Sequence, residues 1–259
     1  MQDRLDITPL PSGKDNYIWV ARAGPHTIVV DPGEAQPVID HLDDSHKLRA
    51  IVLTHKHDDH IGGVAELMDR FPRANIYESK YSETLFDDIV IGEGDEVRPI
   101  GLDDQTLKIH HAPGHTRDHL IYVGGGVLFS GDLLFSCGCG RLFEGDETDL
   151  ANGVRILEGL DHNLEVCAGH EYTLDNIRFA KEVEPNNPAL LAWERKAAKL
   201  RAEGKPTLPT TLGDEFTYNP FLRAGVDAVR QAAEKHAGEP LGTKTQVLRV
   251  LRAWKDDFK

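Results

Sequence analysis

Short apolar runs with the alternating spacing of β-strands dominate the first two thirds of the chain, and turn-forming residues separate them. At the start of the chain this pattern predicts strands at residues 6–9, 16–22 and 26–31. Residues 37–48 have helical periodicity, and residues 49–53 are again an apolar run. The order strand, helix, strand predicts a crossover connection between parallel strands of one sheet.

Strands are predicted as far as residue 168, after which the pattern becomes helical. The later strands are predicted at residues 75–78, 105–112, 118–123, 126–130 and 165–168. The later helices are predicted at residues 61–71, 176–183, 188–203, 220–222, 226–236 and 243–258, with a Pro/Thr-rich connector at 205–219. We therefore predict an α/β domain at residues 1–174, followed by a smaller all-α domain at residues 175–259.

Candidate metal ligands are concentrated in residues 54–63, T-H-K-H-D-D-H-I-G-G, which follow a predicted buried strand. Imidazole nitrogens and carboxylate oxygens are ligands for zinc, iron and manganese. His55 and His57 leave an extended segment on the same side and can bind one ion. Asp59 and His60 lie beyond the turn and can bind a second ion. A solvated polar loop is the alternative, because Asp and His are common in turns.

Three further candidate ligands each follow a predicted strand: His115, Asp132 and His170. A carboxylate has two oxygens and can bind two cations, which one imidazole cannot do. We assign one ion to His55, His57 and His115, a second ion to Asp59, His60 and His170, and both ions to Asp132. Such a centre predicts hydrolysis by a hydroxide that bridges the metals, with Asp59 as a candidate proton acceptor.

Other polar residues near these turns are weaker candidates. His110, His111 and His119 are more typical of orienting or structural histidines than of direct ligands. Asp31 ends a buried strand at a turn, so it either forms the turn or orients a ligand. The sequence does not decide between these roles.

Composition narrows the class of protein. Hydrophobic residues make up 40% of the 259 positions and charged residues 28%, which is ordinary for a globular protein. No apolar run could span a bilayer, and residues 1–10 lack the apolar core of a signal peptide, so we expect a cytoplasmic protein without a membrane partner. Cys137, Cys139 and Cys167 are odd in number and are expected to be small packed thiols rather than disulfides or metal ligands.

Charge is distributed unevenly along the chain. Residues 1–175 carry 14 basic and 32 acidic side chains, a net −18, and residues 176–259 carry 15 and 11, a net +4. The net negative charge of the whole chain argues against nucleic acid as a partner. The net positive charge of residues 176–259 suits an anionic small molecule. Arg252 and Lys255 lie three apart and project together from the last predicted helix, although a solvated cationic face would look the same.

Several motifs together resemble one family. The 54–63 stretch, Gly114-His115-Thr116, Ser130-Gly131-Asp132 and Gly169-His170-Glu171-Tyr172 resemble the metallo-β-lactamase superfamily, whose fold is an αββα sandwich. Within that superfamily, three motifs resemble glyoxalase II, or hydroxyacylglutathione hydrolase. They are F-S-C-G-C-G-R-L-F-E-G at 135–145, N-P-F-L-R at 219–223 and R-x-x-K-D-x-F at 252–258.

The resemblance implies a thioester hydrolase that converts S-D-lactoylglutathione to D-lactate and glutathione in methylglyoxal detoxification. It implies two divalent metal ions, with zinc favoured over iron or manganese, and we expect a monomer acting on a small molecule. It also implies glutathione contacts from basic and aromatic side chains at Arg141, Phe143, Tyr172, Arg252 and Lys255. Eukaryotic members have tyrosine at the position of Phe143 and lysine at that of Arg141, so one hydroxyl contact is absent and a cation has different geometry.

Two other functions fit parts of the sequence. One is a persulfide dioxygenase, a relative that uses a single iron and oxygen, although those relatives look shorter at the C-terminal end. The other is a metal-dependent binding or regulatory protein without turnover. The full set of candidate ligands and the substrate motifs favour an enzyme over this alternative.

Overall fold

A six-stranded mixed sheet forms the first layer of the core. The computed structural model describes residues 4–43, 46–98 and 106–258. The strands of the first sheet, in spatial order, are β1 (Asp6–Ser12), β2 (Asn16–Ala23), β3 (His26–Val30), β4 (Lys47–Val52), β5 (Asn75–Ser79) and β6 (Ile89–Ile91). Pairing is antiparallel from β1 to β3 and parallel from β3 to β6, so the predicted crossover between β3 and β4 is confirmed.

A second six-stranded sheet packs against the first. Its strands are β7 (Glu96–Val97), β8 (Leu107–His111), β9 (Leu120–Gly124), β10 (Val127–Gly131), β13 (Glu165–Ala168) and β14 (Thr210–Thr211), in the spatial order β14-β13-β10-β9-β8-β7. A small hairpin of β11 (Leu134–Phe135) and β12 (Gly138–Cys139) follows β10. The strands predicted at residues 118–123 and 126–130 are confirmed as β9 and β10, which form an antiparallel hairpin.

Nine helices flank the sheets in the described part of the chain. They are α1 (Gln36–His41), α2 (Asp58–Ile61), α3 (Val64–Arg70), α4 (Glu147–Glu158), α5 (Thr173–Val183), α6 (Pro188–Ala202), α7 (Leu212–Tyr218), α8 (Asp227–Ala237) and α9 (Lys244–Asp257). None of these helices is long and apolar enough to cross a membrane.

Side-chain alternation along the strands separates the core into layers. In β2, Trp19 points between the sheets and packs in one cluster with Tyr122 and Phe129 of the second sheet. Its neighbours Ile18 and Val20 point the other way, into a cluster with residues of α1 and α3. The resulting order of helix, sheet, sheet, helix confirms the expected αββα sandwich with a helical C-terminal region.

The C-terminal helices share a core with the second sheet. Ile121 and Leu128 of that sheet belong to the same buried cluster as Val154 of α4, Val229 of α8 and Leu248 of α9. The helices therefore form the outer layer on this side of the sandwich. They also reach the end of the sheets where β4, β10 and β13 stop.

Several predictions of local structure were wrong or incomplete. The helix predicted at residues 37–48 ends at His41, because Lys47–Val52 pairs with β3 as a parallel strand. Strands do not stop at residue 168, because the connector predicted at 205–219 contains β14, which pairs with β13, and also α7. Residues 220–222 form a turn rather than a helix. Helix α4 was not predicted, although Asp146 and Asp149 form a capping box at its start. The start of the strand predicted at 105–112 lies outside the described residues.

Candidate active site

The loop between β4 and α2 carries the first candidate ligands. Its position at the carboxyl end of a parallel strand is where α/β proteins bind ligands. His55 is buried, and His57 precedes the first residue of α2, Asp58. The segment after β3 packs closely against α2, since a Cβ atom on Gly33 would lie 2.0 Å from the carbonyl oxygen of Asp59.

Three histidine nitrogens meet at one point. His57 Nδ1 lies 3.0 Å from His55 Nε2 and 3.1 Å from His115 Nε2. The three rings come from two loops, and their nitrogens form one group that could hold a metal ion. Such separations suit ligand atoms around a single ion about 2.0–2.1 Å from each nitrogen. We call His55, His57 and His115 the three-histidine group.

A second group lies beside the first. Oδ2 of Asp59 is 3.7 Å from His60 Nε2 and 3.5 Å from His170 Nε2, and the three residues could hold another ion. We call Asp59, His60 and His170 the Asp-His-His group. The side chain of Asp59 is half exposed, whereas both histidines are buried.

Asp132 lies between the two groups. Its Oδ2 atom is 3.3 Å from His115 Nε2 and 3.4 Å from His170 Nε2. Its Oδ1 atom is 3.6 Å from His60 Nε2, and these two buried atoms have no hydrogen-bond partner. Buried polar atoms without partners are costly, and a bound cation would satisfy both. The donor set therefore fits divalent metal ions, and the candidate ligands predicted from sequence are brought together.

In most candidate ligand rings, the nitrogen that faces away from the donor group contacts another residue. Nδ1 of His60 is 2.9 Å from Asp31 Oδ2, and Nδ1 of His170 is 3.0 Å from Asp15 Oδ1. Nδ1 of His115 is 2.8 Å from the carbonyl oxygen of Arg141. Such contacts fix the ring orientation and leave Nε2 free for a metal.

Asp31 orients ligands and is not free to act as one. It accepts hydrogen bonds from the backbone N–H and the hydroxyl of Thr54 at 2.7 and 2.6 Å, besides its contact with His60. Its oxygens are thus in use, although it lies close enough to His55 and His60 to form a third possible ligand group. Both roles open for Asp31 are supported, because it also has a φ of 52° at the turn, where its carbonyl oxygen accepts the backbone N–H of Gly33 at 2.9 Å. Asp15 was missed because it lies in a turn 155 positions from His170.

The pKa values at the centre reflect burial and mutual attraction. Burial lowers the pKa of His55 well below its ordinary value, which leaves a neutral ring with a free lone pair. Burial opposes charge on His60 too, but the carboxylates of Asp132 and Asp31 raise its pKa to about 9. Although burial works against it, the neighbouring His60 and His170 hold the pKa of Asp132 well below its usual range.

The three weaker histidine candidates have other contacts. His119 is fully buried, its Nε2 accepts the backbone N–H of Asp132 at 3.0 Å, and burial lowers its pKa to about 3. His111 stacks on Tyr81, and His110 lies 3.5 Å from Glu93. His119 thus supports the backbone of a candidate ligand, and the other two lie away from the centre.

A cavity of about 380 Å³ opens beside Asp132 and His115. The five substrate contacts implied by the resemblance all line it: Arg141, Phe143, Tyr172, Arg252 and Lys255. Phe143 is 60% exposed and its ring lies 5.2 Å from that of His115. Tyr172 stacks on the ring of His170 at 4.6 Å. The cavity therefore joins the candidate metal ligands to the last helix.

The three basic residues of the cavity are not equivalent. Arg252 is buried, donating to the carbonyl oxygen of Cys139 at 2.7 Å and to Asp256 at 3.1 Å. Arg141 is exposed and donates to the same Asp256 oxygen at 3.0 Å. Burial and the nearby Arg252 lower the pKa of Lys255, whose ammonium lies over Phe179. The predictions did not assign Asp256 a role, although it stands in the 252–258 motif.

The three cysteines are buried free thiols, as predicted. Burial raises the pKa of each, so none is activated as a nucleophile. None belongs to the donor groups formed by the described residues.

Comparison with known proteins agrees with this geometry. A model described as the metallo-beta-lactamase superfamily matches residues 13–170, and a model described as the hydroxyacylglutathione hydrolase C-terminus matches residues 171–258. The hydroxyacylglutathione hydrolase of Aeromonas hydrophila subsp. hydrophila is 43% identical over 254 residues, covering 97% of this chain and 99% of that protein. That of Xanthomonas campestris pv. campestris is 43% identical over 258 residues, covering 98% and 100%.

Solved structures share the fold. The BLEG-1 B3 metallo-beta-lactamase superposes with a TM-score of 0.62 at 24% identity, covering 84% of this chain and 99% of that one. ETHE1 from Myxococcus xanthus gives a TM-score of 0.64 at 21% identity, covering 96% and 98%. These likenesses concern the fold alone. Because two family models account for residues 13–258 and the relatives match over nearly the whole chain, this protein belongs to the hydroxyacylglutathione hydrolase family of the metallo-beta-lactamase superfamily.

Proposed function

We propose that this protein hydrolyses S-D-lactoylglutathione, a glutathione thioester, to D-lactate and glutathione. The observation that carries the proposal is the position of Asp132, which contacts both donor groups and also lines the cavity that contains Arg141 and Lys255. The curated relatives that match nearly the full chain are named hydroxyacylglutathione hydrolase, which supports this substrate.

The centre is proposed to hold two divalent metal ions, with zinc as the expected metal. The three-histidine group would bind one, the Asp-His-His group the other, and Asp132 both. When bound, such ions lower the pKa of water and polarise a carbonyl group, which supplies hydrolytic chemistry without a serine or cysteine nucleophile. The nitrogens and oxygens of both groups suit zinc, and they also accept iron and manganese.

Asp59 is proposed as the proton acceptor. It is the most exposed member of the two donor groups, and Asn16 Nδ2 donates to its Oδ2 at 2.9 Å. Burial favours the neutral form, but the Asn16 hydrogen bond and the neighbouring His60 lower the pKa of Asp59. An ionised carboxylate at the edge of the site can receive a proton from water and pass it to solvent.

The cavity is proposed to bind the glutathione part of the substrate. Glutathione is anionic, and Arg141 and Lys255 supply positive charge in the cavity that Asp132 and His115 also line. Arg252 adds charge from a buried position behind them. Tyr172 and Phe143 present aromatic surface beside the histidines. A thiolate leaves readily, so this arrangement demands no strong general acid.

The two parts of the chain have different proposed roles. We propose that residues 1–174 form the catalytic domain and residues 175–259 the substrate-binding domain. The position of Arg252 and Lys255 on α9 supports this division. So does the boundary between the two matching family models at residues 170 and 171.

A comparison of two thioesters tests the substrate. S-D-lactoylglutathione and the D-lactoyl thioester of N-acetylcysteamine present the same carbonyl, but the second has none of the carboxylates of glutathione. We expect kcat/KM to be higher for the glutathione thioester by two orders of magnitude or more, since two charge-assisted contacts are each worth about 1.5–3 kcal/mol. Equal values for the two thioesters would contradict the proposed use of the basic residues, and no hydrolysis of either would contradict the function.

A further inference from the structure

The hairpin of β11 and β12 is too small to hold its own shape. It has only two residue pairs, Leu134 with Cys139 and Phe135 with Gly138. At its turn Cys137 has a φ of 58°, a left-handed conformation that non-glycine residues rarely adopt. Short hairpins are marginally stable, and strained residues persist only where the surroundings enforce them. Contacts from elsewhere must therefore define this segment.

The helical region supplies those contacts. Asn219 is fully buried, and its Nδ2 donates to the carbonyl oxygens of both Phe135 and Gly138 at 3.0 Å. Four other residues of the helical region hold the same hairpin, and with Asn219 they form what we call the hairpin clamp. Three of them donate hydrogen bonds: Asn176 to the carbonyl oxygen of Ser136 at 3.1 Å, Trp193 to Ser136 Oγ at 2.9 Å and Arg252 to the carbonyl oxygen of Cys139 at 2.7 Å. The fourth, Glu215, accepts a hydrogen bond from the backbone N–H of Cys137 at 2.9 Å.

The clamped hairpin ends against the candidate metal ligands. A Cβ atom on Gly140 would lie 2.0 Å from the carbonyl oxygen of Asp132 and 3.1 Å from His115 Nδ1, so there is no free space between them. The next residue, Arg141, places its carbonyl oxygen 2.8 Å from His115 Nδ1. A displacement of the hairpin would therefore move the group that orients His115.

We propose that Asn219 is a positioning residue for the three-histidine group, acting through the hairpin and the Arg141 carbonyl on the ring of His115. This inference rests on the proposed metal centre and extends it to a residue of the helical region. Groups that orient a ligand typically change metal affinity by about 10–100-fold when they are removed. Asn219 does not belong to either donor group and does not line the cavity.

Asn187 provides a matched control. It is also an asparagine of the helical region with both ends of its amide in use, since Nδ2 donates to Thr217 O at 2.9 Å and Oδ1 accepts from Ala189 N at 3.0 Å. Its bonds do not touch the hairpin. Asn187→Ala should therefore lower stability as Asn219→Ala does, without the effect on metal binding.

The test is a zinc titration of metal-free protein in competition with a chromophoric chelator. We expect Asn219→Ala to bind one of two equivalents about 10–100-fold more weakly than the parent, and Asn187→Ala to stay within threefold. In the metal-free protein, the imidazole ¹⁵N signals of His115 should change in Asn219→Ala and not in Asn187→Ala. Unchanged affinity in Asn219→Ala, or an equal loss in both variants, would overturn the inference.

The test also covers a variant that does not fold and a parent protein that binds no zinc. If Asn219→Ala does not fold, Asn176→Ala removes one contact of the clamp, and we expect a smaller loss of affinity for the same equivalent. Unchanged zinc affinity in Asn176→Ala would then count against the inference. If the parent protein itself binds no zinc, the proposed metal centre fails, whereas a parent that binds two equivalents isolates the result for Asn219.

Discussion

The backbone carbonyl oxygen of Arg141 lies 2.8 Å from Nδ1 of His115, while the side chain of Arg141 lines the adjacent cavity. One residue thus contacts both the candidate metal centre and the candidate substrate site. Its backbone orients a histidine, and its guanidinium supplies positive charge. The short segment around Arg141 therefore links the two sites.

Loss of the shared carboxylate should remove metal. In Asp132→Asn, an amide replaces the anionic group that faces both His115 and His170. We expect metal content to fall from two equivalents to one or fewer, as measured by elemental analysis of purified protein. Asp227→Asn on α8, which changes an exposed carboxylate, is the control and should retain two equivalents. Two equivalents in Asp132→Asn would contradict its placement between the ions.

Removal of metal should destabilise the fold. A ligand that binds only the folded state at one hundred times its dissociation constant adds about 2.7 kcal/mol. For a chain of this size that corresponds to a fall in Tm on the order of 5–10 °C when a chelator strips the metal. Differential scanning calorimetry before and after chelation measures the change, and re-addition of zinc should reverse it. An unchanged Tm would indicate that the donor groups hold no metal in the native protein.

Metal binding should release protons at neutral pH. The pKa of His60 is raised to about 9 in the metal-free protein, so its stabilising effect is complete below the unfolded pKa of about 6.5 and is lost as the pH rises through 9. A metal must displace this proton, so zinc affinity should rise with pH across the same window. Calorimetric titration at pH 7 in buffers of different ionisation enthalpy measures the release. No dependence on the buffer would contradict this view of His60.

Removal of the Lys255 charge should affect substrate binding more than turnover. The ammonium lines the cavity but lies away from the donor groups, so Lys255→Ala should raise KM about 10–100-fold with little change in kcat. Lys244→Ala is the matched control, because Lys244 lies on the same helix and pairs with Glu158 outside the cavity. Equal KM values for the two variants would show that Lys255 does not contribute to glutathione binding.

A hydroxyl at position 143 should strengthen binding. Phe143 is 60% exposed at the mouth of the cavity, where the resemblance implies a tyrosine in eukaryotic relatives. Phe143→Tyr has room for the hydroxyl, and one added hydrogen bond of about 0.5–1.5 kcal/mol lowers KM roughly 2–10-fold. Steady-state kinetics measure this, and Phe143→Leu serves as a variant without the hydroxyl. A KM in Phe143→Tyr that equals or exceeds that of the parent would count against this contact.

The side-chain pattern brought out the candidate metal ligands because each of them follows a strand. His115, Asp132 and His170 are far apart in sequence, but parallel or adjacent strands bring their ends to one edge. The groups that orient these side chains could not be predicted in the same way. The carbonyl of Arg141 carries no residue-type signal, and the turn residue Asp15 has no feature that links it to His170.

The secondary structure was also predicted only in part. Alternation in β2 and β3 predicted their strands because each buries one face on each core layer. The end of α1 was missed because pairing between β3 and β4 overrides the local helical pattern after His41. Helix α4 was missed because Asp146 and Asp149, which form its capping box, do not match the usual Ser/Thr-x-x-Glu/Gln signature of a helix start.

The most direct test of the account is the rate of thiol release from S-D-lactoylglutathione as a function of bound metal. The metal-free protein should be inactive, and activity should appear as zinc is added and reach its maximum at two equivalents. Hydrolysis that survives complete removal of metal, or its absence in protein holding two equivalents, would contradict the proposal that Asp132 and the two donor groups form a binuclear thioester hydrolase.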